Sequence, residues 1–180
     1  RHTAPVPMPA LDDLAASGVS FTDFHTAPLC APSRYALLTG EYAWRTGLKR
    51  WVLGGGSPAL IDPETPTLGG ILQDAGWTTL GVGKWHLGFK SPNIPNDRGF
   101  DFFHGFLADM MDNYWTHLRG GINWMRRNKE EVKPEGHATE VFTQWGIDYV
   151  KVSTANQIKA RKPSDLIRPP GSPPQGRLLL

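Results

Sequence analysis

A single cysteine, Cys30, occurs in the 180 residues. That excludes an internal disulfide and any cysteine-rich metal site. Long apolar runs are missing as well, and none approaches the roughly 20 residues that a membrane-crossing helix needs. No stretch carries charge of one sign: 19 Lys and Arg stand against 17 Asp and Glu, for a net charge of +2. So small an excess gives no electrostatic footprint for nucleic acid. The opening Arg1-His2-Thr3-Ala4-Pro5, followed by Pro7 and Pro9, lacks the apolar segment of a secretion signal and names no compartment.

What is present suffices for one domain, since 39% of the residues are hydrophobic. Leu11, Leu14 and Ala15 fall at helical spacing and predict a short helix over 9–17, opened by Pro9 and ended by Gly18. Val19 and Phe21 alternate with Ser20 and Thr22, which predicts a strand over 19–24. A helix over 33–38 stops at Gly40. Thr67 caps another over 68–75, with Leu68, Ile71, Leu72 and Ala75 as its apolar stripe and Gly76 beyond its end.

Residues 77–82 then read as a strand, and 83–88 as the loop leaving its carboxyl end, where ligands sit in sheets covered by helices. The aromatic run 98–106 reads as core-packed turns. A last helix spans 138–150, with Ala138, Val141, Phe142, Trp145 and Tyr149 on one side. The pattern divides the chain at 150: residues 1–150 form the domain, and 151–180 read as a divergent tail. Four prolines in the last fourteen residues predict disorder over 160–180.

The strongest local signal is Cys30-Ala31-Pro32-Ser33-Arg34, continuing to Leu37-Leu38-Thr39-Gly40. Pro32 and Ser33 can open a helix and leave Cys30 just before its first turn. Free backbone donors and the helix dipole there favour negative charge, as does Arg34 if it turns back toward position 30. A lone cysteine is otherwise most often a small buried hydrophobe. A second motif, Gly83-Lys84-Trp85-His86-Leu87-Gly88, puts a cation and an imidazole at a strand end. Joint function of Lys84 and His86 is expected to need a bent backbone, which the flanking Gly83 and Gly88 permit.

These two motifs resemble the signatures of the sulfatases. The likeness extends to Leu14-Ala15 with Gly18-Val19-Ser20-Phe21, to Tyr42 with Arg45 and Gly47, to Thr67-Leu68 with Ala75-Gly76-Trp77, and to Arg98-Gly99-Phe100-Asp101 with Phe103 and Gly105. It covers about residues 8–150. The resemblance implies an α/β fold, an alkaline-phosphatase-like mixed sheet flanked by helices. It implies hydrolysis of sulfate esters by a formylglycine made from Cys30 by a maturation enzyme. It also implies one divalent metal, calcium, with position 30 as one of its ligands.

By the same resemblance, Arg34 steadies the nucleophile, Lys84 contacts nucleophile and sulfate, and His86 positions the second hydroxyl. Asp112, Trp115 and His117 border the substrate, a sulfated small molecule or glycan. The family's opening strand with its calcium-binding aspartate pair, and its later half, find no match here. The expectation is therefore an incomplete domain that binds metal poorly. Asp12-Asp13 is no substitute, because neighbouring helix residues diverge by about 100°. Two other readings stay open: an inactive sulfatase-like fragment that binds an anion or a partner protein, and a phosphomonoester or phosphonate hydrolase of the same superfamily.

Overall fold

The computed structural model describes residues 6–54, 60–160 and 178–179, with side chains up to residue 152. In chain order its elements are α1 (Pro9–Ser17), α2 (Cys30–Thr39), a 3-10 turn (Ala43–Arg45), α3 (Leu68–Asp74) and β1 (Thr78–Lys84). A second 3-10 turn (Pro95–Arg98) leads into β2 (Phe102–Phe106). Then come β3 (Leu118–Arg119), β4 (Ile122–Asn123), β5 (Met125–Arg127), β6 (Glu130–Glu131), α4 (Ala138–Ala160) and β7 (Leu178–Leu179).

The main sheet has the order β6-β5-β2-β1-β7, and β3 pairs with β4 apart from it. β1 and β2 run parallel in the register Gly83↔Gly105, whereas β5 is antiparallel to both β2 and β6. The architecture is a mixed α/β sheet flanked by helices, as the sequence leads one to expect.

Packing explains which expectations held locally. Thr67 caps α3 by accepting from the Gly70 amide at 3.2 Å, and it also donates to the Arg98 carbonyl at 2.8 Å. Gly40 closes α2 in the left-handed conformation that the missing Cβ permits. Asp101 fixes the start of β1 by accepting from the Thr79 amide at 2.8 Å. Arg98, buried, donates to the carbonyls of Pro63 and Ile61 and to Asn93, which ties the loop before α3 to the turn before β2. The main core gathers Ala31 and Tyr35 of α2, Leu53, Ile61, Trp85, Leu87 and Phe103.

Four local expectations are corrected. Residues 19–24 are irregular, with a bend at 22–23, rather than a strand: among the described residues no strand pairs with them, and Val19, Phe21 and Phe24 lie exposed. The run 98–106 is a 3-10 turn followed by β2, because its aromatics sit on a pleated, half-buried surface between β1 and β5. Strand β1 continues to Lys84 instead of stopping at 82. Helix α4 runs to Ala160 instead of 150. Of the tail expected to be disordered, Leu178 and Leu179 lie parallel to Thr78 and Thr79 of β1. Residues 161–177 and 180 lie outside the described residues.

Helix α4 meets the sheet through an aromatic cluster around His104. The imidazole is buried, with ring centroids 4.6 Å from Trp145 and 5.3 Å from Tyr149. Its Nδ1 has no hydrogen-bond partner among the described residues. Burial, helped by the positive charge of its cross-strand neighbour Arg127, pushes its pKa down to about 4. In the unfolded chain a histidine titrates near 6.5.

The unfolded state thus binds the extra proton between those values, and stability is whole above pH 6.5 and falls as pH drops toward 4. Discounted for solvent screening, the loss is on the order of 1–2 kcal/mol. Urea midpoints at pH 7 and pH 4.5 measure it. His104→Phe is expected to flatten that dependence, and an unchanged slope would remove His104 as its source.

Candidate active site

The first turn of α2 and the carboxyl end of β1 meet. Helix α2 begins one turn earlier than its Pro-Ser pair suggests, with Leu29 as extended N-cap, so Cys30 is the first helical residue rather than the residue before it. Pro32 is tolerated there because first-turn amides have no helical acceptor. Ser33 bonds the Ala27 carbonyl through its hydroxyl and holds the incoming loop against this turn. Arg34 lies one turn beyond Cys30, and its Nη1 donates to the Lys84 carbonyl. Helix start and strand end are thereby pinned together.

Past Lys84 the chain bends. Gly83 has φ 104° and His86 itself has φ 56°, a left-handed conformation unusual for a side-chain-bearing residue. Pairing with the β2 side nonetheless continues, from the Trp85 amide to the Phe106 carbonyl and from the His86 amide to that of Leu107. The expected bend therefore includes His86, and the glycines alone do not make it. His86 is almost fully buried at 1% exposure.

The imidazole of His86 makes two contacts. Its Nε2 lies 2.9 Å from the Leu53 carbonyl, and its Nδ1 lies 3.1 Å from the Cys30 Sγ. A carbonyl only accepts, so Nε2 carries the proton. In the neutral ring Nδ1 is then an acceptor, and the Cys30 S–H donates to it. Burial lowers the His86 pKa most; the bond to Leu53 opposes that, and the charges of Lys84 and Arg34 lower it further while Asp109 raises it. The neutral form is the favoured one. Arg34 is half-buried; desolvation lowers its pKa, but the group stays a cation throughout the physiological range.

Cys30, Arg34, Lys84 and His86 thus share one neighbourhood. The other three residues expected at the site bond or stack with partners outside that group. Asp112 accepts from Arg119 Nη1 at 2.8 Å and from the Gly120 amide. Trp115 is exposed, edge-on to His137 at 5.4 Å. His117 is buried, and its Nε2 donates to the Gly136 carbonyl at 3.0 Å. Among the described residues no hydrogen bond or ion pair joins these three to Cys30.

Sequence reasoning missed Asp109. It follows the carboxyl end of β2, receives a two-pronged bond from Arg119 with both distances 3.0 Å, and its charge reaches His86. Its position just beyond a strand adjacent to β1 was the available signal, but β2 itself was not foreseen. Among the described residues no three His, Cys, Asp or Glu side chains come together as a metal site. These residues do not by themselves fit calcium, whose shell needs six to eight oxygens.

A thiol at the start of α2, an imidazole just past the end of β1, and Arg34 of α2 bonded to the Lys84 carbonyl at that strand end meet at the carboxyl edge of a mixed α/β sheet. The chain belongs to the Sulfatase family, whose model matches residues 2–161. It is 39% identical over 119 residues to Arylsulfatase J of Mus musculus, covering 66% of this chain and 20% of that protein. With N-acetylgalactosamine-6-sulfatase of Canis lupus familiaris it shares 34% over 168 residues, covering 83% and 32%.

The crystal structure of Ps i-CgsB superposes with a TM-score of 0.71 at 30% identity, covering 81% of this chain and 36% of that one. A protein solved with its substrate D-Glucosamine-2-N, 6-O-disulfate matches at TM-score 0.60 and 24% identity, covering 79% and 26%, a likeness of fold alone. The fold is alkaline-phosphatase-like. The chain spans about a fifth to a third of the length of these two curated relatives.

Proposed function

We propose that this chain carries the nucleophile-bearing part of a sulfate-ester hydrolase site, with position 30 oxidised from cysteine to formylglycine. The observation that supports this best is the Cys30–His86 contact of 3.1 Å at the start of α2, with Arg34 bonded across to Lys84. When formed, the aldehyde hydrate supplies an oxygen nucleophile and a second hydroxyl in place of the thiol. Everything else falls to the side chains around it.

His86 offers Nδ1 as a proton acceptor at the atom that Sγ occupies now, and its orientation is fixed by Leu53 through Nε2. Arg34 holds positive charge beside that oxygen. Lys84 is assigned to the sulfate group, whose bridging ester oxygen gains negative charge as the S–O bond breaks. Burial of His86 and Leu53 keeps water away from this side, which strengthens each of these interactions. Calcium is the metal the family resemblance implies; the described residues offer no complete site for it, and no step here depends on it. Sulfated small molecules or glycans are the proposed substrates, and a formylglycine-generating enzyme the proposed maturation partner.

Co-expression of the 180-residue chain with such an enzyme, followed by mass spectrometry of the Cys30 peptide, is expected to show aldehyde in place of thiol. The matured chain is expected to hydrolyse 4-nitrophenyl sulfate slowly but faster than 4-nitrophenyl phosphate. An unchanged thiol, or preference for the phosphate, would refute the proposal.

A further inference from the structure

Parallel neighbours in a sheet cannot be joined by a tight turn; the chain must cross a face of the sheet between them, usually through a helix. From the antiparallel pair β5 and β6 the chain enters α4, which packs against both β1 and β2. Leu178–Leu179 then lies parallel to β1 on the side away from β2, in the register Thr78↔Leu178 and Thr79↔Leu179. Helix α4 thus serves as the crossover that such a strand requires. The segment falls beyond residues 2–161, which match the family model, so the family pattern does not account for it.

The two edges of the sheet need different treatment. Strand β6 presents Glu130 and Glu131, both exposed, and charge on an edge discourages pairing with another chain. Strand β1 has no such protection: Thr78 to Gly83 carry no charge, and only Lys84 at its end does. Beside it an apolar groove of about 530 Å³ opens between β1 and α4, lined in part by Leu80, Val82, Phe142, Gly146 and Ile147. An uncharged edge next to an apolar groove is a template for one more strand.

Leu178-Leu179-Leu180 has the composition of a strand in a parallel sheet, an uninterrupted apolar run. Pro169, Pro170, Pro173 and Pro174 precede it, and proline lacks the amide that a ladder needs; the leucines pair without that loss. Tethering also favours this occupant. A segment on the same chain meets the edge at an effective concentration that a second copy reaches only at millimolar levels.

We propose that Leu178–Leu179 is a docking strand that covers the β1 edge and the adjoining groove from within the same chain, and so keeps that edge from pairing with a second copy. Because β1 leads into Lys84 and the bend at His86, the docked segment also steadies the strand from which the site hangs. This role stands apart from the sulfate-ester reading, and neither needs the other.

Covalent trapping tests the pairing in the intact chain. In a Cys30→Ala background, which removes the native thiol, Thr78→Cys and Leu178→Cys put two thiols on partner positions of adjacent strands, within the span of a disulfide. Oxidised glutathione is expected to link them within one chain, seen as a monomer on a non-reducing gel and as a joined peptide pair after digestion. Leu178→Cys with Glu131→Cys, on the far edge of the sheet, is expected to stay unlinked.

Removing the segment tests the consequence. A chain ending at Arg177, and the full chain with Leu178→Pro and Leu179→Pro, are each expected to lower the urea midpoint by about 0.5 M or more. Both are expected to dimerise in the analytical ultracentrifuge at concentrations where the full chain is a monomer. No link between positions 78 and 178, or a link formed only between chains, would overturn the proposal. So would a shortened chain that matches the full one in midpoint and in mass. Should the shortened chain fail to fold, the cross-link in the full chain still decides.

Discussion

Adding one methyl group at Gly105 is expected to destabilise the chain by about 3 kcal/mol or more, at the upper end of what overpacking costs. A Cβ built on Gly105 would lie 2.0 Å from the Gly83 carbonyl oxygen and 2.9 Å from its carbon. Those are backbone atoms of the paired strand in register with it, so no side chain can move aside. Relief requires β1 and β2 to separate just before Lys84. That separation disturbs the bonds from Trp85 and His86 to the end of β2, which shape the bend placing His86 against Cys30. Gly105→Ala should therefore lower the urea midpoint sharply and expose the Cys30 thiol to alkylating reagents at the same time. A midpoint within about 0.5 kcal/mol of wild type, the range of ordinary surface changes, would show that the two strands slide freely there.

This close approach of two glycines also shows where the sequence was readable and where it was not. Helix α1, α2 and α3 follow from apolar spacing and from Pro9, Gly40 and Thr67 acting as local start and stop signals. Each of those effects is decided within a few residues, so one strand of text contains it. Strand β2 escapes the sequence pattern because Gly99 and Gly105 punctuate the run as turn residues do, although its aromatics suit a strand. Only its placement between β1 and β5 makes it a strand, and that pairing is non-local. The reverse error befell 19–24, where a strand-like alternation lacks a neighbouring edge among the described residues.

The same division runs through the site. The motif around Cys30 and the Lys84–His86 segment could be picked out from residue types and spacing. That His86 would adopt a left-handed backbone, or that Leu53, 33 residues away, would fix its tautomer, could not. Both follow from packing across the core. Asp109 stayed hidden for that reason too: its relevance depends on β2 lying beside β1 and on Arg119 returning from β3 to hold it.

The second large effect separates chemistry from architecture at position 86. Relative to the chain matured at position 30, Cys30→Ala is expected to reduce hydrolysis of 4-nitrophenyl sulfate by about 10³-fold or more, since the covalent step is lost. Stability should change little, because alanine suits a helical first turn. His86 is harder, since it is buried and bonded at both nitrogens, and His86→Ala would leave the Leu53 carbonyl without its donor and open a cavity.

His86→Asn is the sharper variant. Asparagine tolerates the left-handed backbone at φ 56°, and its amide can still donate to a nearby carbonyl. It cannot offer a ring nitrogen at the Nδ1 position. If His86 manages a proton at position 30, His86→Asn should keep its stability within about 2 kcal/mol of wild type while turnover falls by about 10²-fold or more. A variant that folds as predicted and keeps more than a tenth of the rate would reduce His86 to a packing residue.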